Sequence, residues 1–132
     1  MFAALCDDDK YITEEIKKLL LEYAKDNRIT IDIDEFESGE ELLNSEKNYD
    51  IIVLDYQLGS TNGLTVAKEL RKRNVLSSII FLTSYPNFMI DAFEVNTFRF
   101  LLKPIDKSKF FKAIDDYIKI VDANYPITII QN

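Results

Sequence analysis

The sequence predicts an α/β fold, a doubly wound parallel sheet with helices on both faces. Two observations predict it. Strand and helix patterns alternate five times along 132 residues, with short connections between them. Several strands are also unbroken apolar runs, as expected of strands covered on both faces. The clearest is Ile51-Ile52-Val53-Leu54, which stops at Asp55.

The elements follow in order. Met1 to Cys6 is a short apolar strand that runs into Asp7-Asp8-Asp9. Ile12, Ile16, Leu19, Leu20 and Tyr23 then recur at helical spacing and form one apolar face. Ile29, Ile31 and Ile33 alternate with Thr30, Asp32 and Asp34, which marks a half-exposed strand at a sheet edge. Ser38 with Glu41 is a capping box that opens a short helix. After the strand ending at Asp55, Asn62 caps a helix that begins at Gly63 and carries Leu64, Ala67 and Leu70. Ile79 to Leu82 is the next strand, and it runs into Thr83-Ser84. A helix follows around Phe88 to Val95. A last strand, Phe98 to Leu102, runs into Lys103-Pro104. Asp106 caps a final helix with Phe110, Ile114, Tyr117, Ile118 and Val121 on one face. In the tail, residues 122–132, Ile127 to Ile130 read as an extra strand after Pro126. That segment is either the start of a linker in a longer protein or a docked terminus.

Composition narrows the function. The length suits one domain, and the apolar and charged fractions, 47% and 30%, are those of a soluble globular protein. A net charge of −7 argues against nucleic acid as a direct partner of this domain. The absence of histidine excludes His-based triads and His metal sites. Cys6 is the single cysteine and has no partner for an internal disulfide. No stretch reaches the length of a membrane span, and no secretory signal opens the chain, so a reduced, cytoplasmic setting is expected.

The strand ends carry the chemistry. In a parallel sheet, ligands bind beyond the carboxyl ends of the strands. Here those ends deliver Asp7 and Asp8, Asp55, Thr83 and Lys103 to one rim. Each residue alone has an ordinary explanation as a cap, a turn or a loop residue. Together they form a set. Two unit charges about 4 Å apart repel by about 4 kcal/mol at an effective dielectric of about 20, so the acids need a cation or must hold protons. An all-oxygen donor set with room for water favours Mg²⁺, or Mn²⁺ in its place. Such an ion would draw a phosphoryl group to Asp55, with Lys103 and Thr83 to receive its oxygens. Asp55 could then act as a nucleophile and become an aspartyl phosphate.

On these residues the chain resembles the receiver domain of bacterial response regulators, over residues 1–121. The resemblance rests on Cys6-Asp7-Asp8-Asp9, on Leu54-Asp55 with Gly63 eight residues later, on Leu82-Thr83-Ser84 and on Leu102-Lys103-Pro104. Ala4-Leu5-Cys6-Asp7-Asp8, Ala92 to Asn96 and Leu101 to Ile105 are most similar to receivers attached to LytTR-type DNA-binding domains.

The resemblance implies a flavodoxin-like sheet in the order 2-1-3-4-5, in agreement with the edge strand read above. It implies that Asp55 takes phosphate from a sensor histidine kinase. It further implies that Asp8, Asp55 and the Gln57 backbone carbonyl bind the metal, with Asp7 acting through water. Thr83 and Lys103 would bind the phosphoryl group, and Phe100 would be the aromatic switch. Gln57 and Tyr85 would tune loss of phosphate, and the Lys103-Pro104 bond would be cis. No activity beyond self-phosphorylation from a donor and slow autodephosphorylation is expected. DNA would be reached only through an effector domain absent from this chain.

The chain departs from the family at Gly59, where many members have proline, at Ser84, where alanine is common, and at Phe100, which has no hydroxyl. None of these removes a group the chemistry needs. A magnesium phosphohydrolase would want an acid where Gln57 stands. A flavodoxin would want a glycine- and hydroxyl-rich phosphate loop where three aspartates stand. A receiver-like module that binds without being phosphorylated is the remaining alternative.

One segment is too apolar for a helix that buries a single face. Phe88, Ala92 and Val95 make a core stripe, which leaves Met89, Ile90 and Phe93 facing outward. With Phe98 and Phe111 they are expected to form a dimer or effector contact.

Overall fold

The computed structural model describes residues 1–59 and 61–131, with side chains described through residue 121. β1 (Phe2–Cys6) is buried from its second residue. Asp9 then caps α1 (Lys10–Asn27), its carboxylate accepting from the Tyr11 N–H at 2.9 Å. β2 (Asp32–Phe36) is the half-exposed edge strand. Ile29 and Ile31 pack into the core ahead of it, so the alternating pattern starts before the ladder does. Ser38 caps α2 (Gly39–Asn44) as expected. The Glu41 carboxylate reaches back to the Glu37 N–H at 3.0 Å, one residue before the cap.

β3 (Ile51–Asp55) is buried throughout. A small antiparallel ribbon, β4 (Gln57–Leu58) and β5 (Thr61–Asn62), follows, with Gly59 at φ 59° in its turn. Proline, whose ring holds φ near about −65°, cannot adopt that conformation. Asn62 caps α3 (Gly63–Lys72), accepting from the Thr65 N–H at 2.8 Å. β6 (Ser78–Thr83) completes the central strands. The next helical segment is broken into a 3₁₀ turn (Pro86–Phe88), α4 (Met89–Ala92) and a second 3₁₀ turn (Phe93–Val95). β7 (Arg99–Leu102) is the other edge. The Lys103-Pro104 peptide bond is cis. Asp106 caps α5, accepting from the Lys109 N–H at 3.1 Å.

α5 is Lys107–Gln131; the extra strand expected at Ile127 to Ile130 falls beyond residue 121, outside the residues whose side chains are described.

All neighbours in the main sheet are parallel, in the order β2-β1-β3-β6-β7. With the ribbon set aside, this is the 2-1-3-4-5 order. Alternate strand residues feed two cores. Ala4, Cys6, Ile52, Leu54, Ile79 and Phe81 face α2, α3 and the α4 segment. Ala3, Leu5, Ile51, Val53, Ile80 and Leu82 face α1 and α5. Both faces are therefore dry, and the aligned registers Cys6↔Leu54, Asp55↔Leu82 and Thr83↔Leu102 bring four strand ends to one rim.

Candidate functional site

Four strand ends build the site. β1 ends before Asp7 and Asp8, β3 ends on Asp55, β6 ends on Thr83, and β7 ends before Lys103. Carboxylate oxygens of Asp7, Asp8 and Asp55 lie within 4.8 Å of one another. Asp7 and Asp55 are each 4% exposed, whereas Asp8 is open to solvent. Asp9 stands apart as a helix cap. The cap explanation thus holds for one of the three consecutive aspartates.

The Lys103 ammonium sits between the buried acids, 3.3 Å from Asp55 Oδ1 and 3.4 Å from Asp7 Oδ2. Backbone amides hold the other contacts. The Asp9 N–H donates to Asp7 Oδ1 at 2.8 Å, and the Gln57 N–H donates to Asp55 Oδ1 at 3.2 Å. A Cβ on Gly63 would meet the Asp55 carbonyl oxygen at 2.4 Å, so α3 starts backbone to backbone against the end of β3. Any larger residue there would push Asp55 off the rim.

Burial and charge set the protonation. Desolvation, then the neighbouring Asp7, push the Asp55 carboxyl up to about 6, against the pull of Lys103 and the Gln57 N–H. Burial likewise raises Asp7, opposed by the Asp9 N–H and Lys103. Burial works against the Lys103 ammonium, but Asp55 and Asp7 overcome it and hold it above the usual lysine range. One cation thus faces two buried acids and a third exposed one. That excess of negative charge, all from oxygen donors, fits a small divalent cation such as Mg²⁺.

Thr83 is 1% exposed, and its Oγ1 accepts from the Tyr85 N–H at 3.2 Å. Its hydroxyl hydrogen is left for another acceptor. Its carbonyl accepts from the Lys103 N–H at 2.7 Å, which ties the two residues together. Phe100 is partly buried against the core under the α4 segment. The Gln57 and Tyr85 side chains are exposed, and the Tyr85 ring meets Phe88 edge-on, 5.9 Å between centroids.

The proposed contact residues divide. Met89, Ile90 and Phe93 are exposed on the α4 segment, at 43%, 78% and 76%. Phe98 and Phe111 are partly buried against the α1–α5 core, on the other side of the sheet. Phe111 packs edge-on against Tyr23, 5.3 Å between centroids. Sequence spacing could not show this, because it does not say which face of the sheet an aromatic residue enters. Tyr56 was also missed. It follows Asp55, is 4% exposed, and stacks on Phe88 with centroids 4.3 Å apart. An aromatic directly after the strand-end acid was the only signal.

Comparison with known proteins agrees with this geometry. Residues 3–115 match the model of the response regulator receiver domain. "Sensory transduction protein LytT" of Bacillus cereus is 34% identical over 120 residues, which cover 90% of this chain and 48% of that protein. "Sensory transduction protein LytR" of Staphylococcus epidermidis is 32% identical over 117 residues, covering 87% and 45%. The chain thus spans about half the length of the curated relatives it matches. Among solved structures, the response regulator TrrA of Thermotoga maritima, in complex with Mg²⁺-BeF, superposes with a TM-score of 0.76 at 28% identity, covering 88% of this chain and 97% of that one. The response regulatory domain of protein mrkE from Klebsiella pneumoniae shares the fold with a TM-score of 0.82 at 21% identity, covering 93% and 99%. The strand order, the rim of acids and these matches lead to one conclusion: the chain belongs to the receiver domains of two-component response regulators and is similar to those of LytT and LytR.

Proposed function

We propose that this receiver domain accepts a phosphoryl group on Asp55 from a phosphohistidine of a sensor histidine kinase. A carboxylate oxygen of Asp55 forms the new P–O bond as the P–N bond to the donor imidazole breaks, and the imidazole takes up a proton. The observation that carries this reading is the buried Asp55 carboxylate, 3.3 Å from the Lys103 ammonium and clustered with two further acids. Near neutral pH a group titrating at about 6 is mostly ionised, as a nucleophile must be.

Asp8, Asp55 and the Gln57 carbonyl would hold Mg²⁺ or Mn²⁺, with Asp7 acting through water. When bound, the ion neutralises the acids and the phosphoryl oxygens. Lys103 gives up a carboxylate contact to pair with a phosphoryl oxygen. Thr83 donates its hydroxyl hydrogen to another, and Phe100 repacks behind it. Gln57 and Tyr85 line the approach of water, and their bulk favours slow loss of phosphate. Support for the metal comes from the acidic cluster and from the similarity to TrrA, whose structure carries Mg²⁺-BeF.

Output runs through α4, β7 and α5, where the exposed Met89, Ile90 and Phe93 offer an apolar contact for a second copy or an effector domain. We assign residues 1–121 to the receiver and the following residues to a tail or linker. Similarity to LytT and LytR, of which the chain spans about half, supports a LytTR-type DNA-binding domain outside this chain. Incubation with acetyl phosphate and Mg²⁺, read by intact mass, tests the reaction. A single stable phosphate adduct, absent from Asp55→Asn, is expected. Multiple turnover of phosphomonoesters would assign a hydrolase instead, and a wild type that takes up no phosphate would leave only a binding module.

A further inference from the structure

The α4 segment is held differently at its two ends. Its back end is anchored several times. The Arg71 guanidinium donates to the Val95 carbonyl at 2.7 Å and to the Asn96 carbonyl at 3.0 Å. The Thr97 hydroxyl donates to the Ala92 carbonyl at 2.5 Å, and Lys68 pairs with Glu94 at 3.4 Å. Its front end has little of this. The 3₁₀ turn at Pro86–Phe88 has no side-chain cap, and α4 itself is four residues long. Among the described residues, Tyr56 supplies both a side-chain hydrogen bond and a ring stack from the rest of the domain to this end, which also packs on the core through Phe88 and Ala92. The Tyr56 ring lies parallel to Phe88, 9° between planes, and its hydroxyl donates to Asp91 Oδ2 at 3.4 Å. It also packs against Phe81 in the core, with centroids 5.6 Å apart.

The backbone of Tyr56 is fixed on both sides. Its N–H donates to the Leu82 carbonyl at 2.9 Å, and its carbonyl accepts from the Gly63 N–H at 2.6 Å. One residue thus joins the end of β3, the end of β6, the start of α3 and the front of α4. It is bonded covalently to Asp55. Phe100, by contrast, has no hydroxyl with which to engage α4.

We infer that Tyr56 is a positioning residue that couples the state of Asp55 to the front of the α4 segment through its stack on Phe88. This rests on Asp55 being the phosphoacceptor. A change at Asp55 shifts the Tyr56 backbone and ring, and the front of α4 follows while Arg71 holds the back. The outcome is a pivot of the segment that carries the exposed Met89 and Ile90.

Amide hydrogen exchange of residues 86–96, with and without Mg²⁺ and beryllofluoride, tests this in wild type, Tyr56→Leu, Tyr56→Phe and Phe88→Leu. Phosphate uptake from acetyl phosphate is followed in parallel by intact mass. Wild type and Tyr56→Phe are expected to show a change of exchange confined to the front of the segment. Tyr56→Leu and Phe88→Leu should take up phosphate as wild type does and lose most of that change. Phe88 is only partly buried, so its variant keeps the test open should Tyr56→Leu fail to fold. A full exchange response in folded Phe88→Leu or Tyr56→Leu would overturn the coupling role. Loss of phosphate uptake in a folded variant would overturn it too, by placing the ring in the reaction. A wild type that takes up no phosphate would remove the reading beneath it, an outcome distinct from uptake without loss of the response.

Discussion

Lys103 and Arg71 are partly buried cations at opposite ends of the same sheet, and they are put to opposite uses. Lys103 lies at the carboxyl ends of the strands between Asp7 and Asp55. Its partners are charged, outnumber it, and can take up protons. Arg71 lies at the other end, where β6 and β7 begin. It donates to the carbonyls of Val75 at 2.7 Å and Ser77 at 2.9 Å, besides those of Val95 and Asn96. Those partners are neutral, fixed by the chain and unable to change charge. Burial lowers the Arg71 pKa, and no carboxylate among the described residues pairs with it. One end of the sheet keeps unbalanced charge available for chemistry. The other spends a guanidinium on tying loops together.

The largest effect that would sharpen this contrast is on chemistry. Asp55→Asn should abolish the phosphate adduct while leaving the fold at least as stable as wild type, read by intact mass and urea unfolding. A less stable Asp55→Asn protein would mean that the rim also holds the fold together.

Next in size is Arg71→Met. Four carbonyls lose a charged donor, so we expect a loss of about 3 kcal/mol in unfolding free energy, with phosphate uptake unchanged below the melting range. Urea midpoints check the first part and intact mass the second. A midpoint equal to wild type would break the comparison.

Lys103→Met should cost less, about 1 to 2 kcal/mol at neutral pH, because its two acids can share a proton while carbonyls cannot. The cost should shrink as pH falls. Urea unfolding of this variant and of wild type at two pH values measures it.

The smallest effect is the pH dependence of Asp55 itself. Its carboxyl titrates at about 6 in the fold against 3.8 ordinarily. An acid held above its unfolded value binds protons more tightly when folded, so it adds stability as pH falls through about 6 and takes it away as pH rises. Between about pH 7.5 and pH 5 this one group should contribute about 1 kcal/mol in metal-free buffer. The difference between wild-type and Asp55→Asn unfolding curves isolates it, and saturating Mg²⁺ should erase it. A wild type that gains stability relative to Asp55→Asn as pH rises would reverse the assignment of burial as the main cause.

The carboxyl-end rim was largely legible in the sequence. Asp7, Asp8, Asp55, Thr83 and Lys103 each follow an apolar run, and the strand period alone places them at strand ends. The Arg71 end was not legible. Arg71 sits in a helix among other charged residues, and its partners are carbonyls, which every residue carries and no sequence pattern marks. Tyr56 was hidden because its ring partner, Phe88, lies on a different element, which only tertiary packing brings to it.

Local pattern determined the elements, the two dry faces of the sheet and the identity of the acids, since periodicity and caps act within a few residues. Tertiary structure alone decided two further matters. It separated Met89, Ile90 and Phe93 from Phe98 and Phe111, because register and sheet face choose which core an aromatic enters. It set the Asp55 carboxyl near 6, because burial and the approach of Asp7 and Lys103 exist only once four strands are aligned.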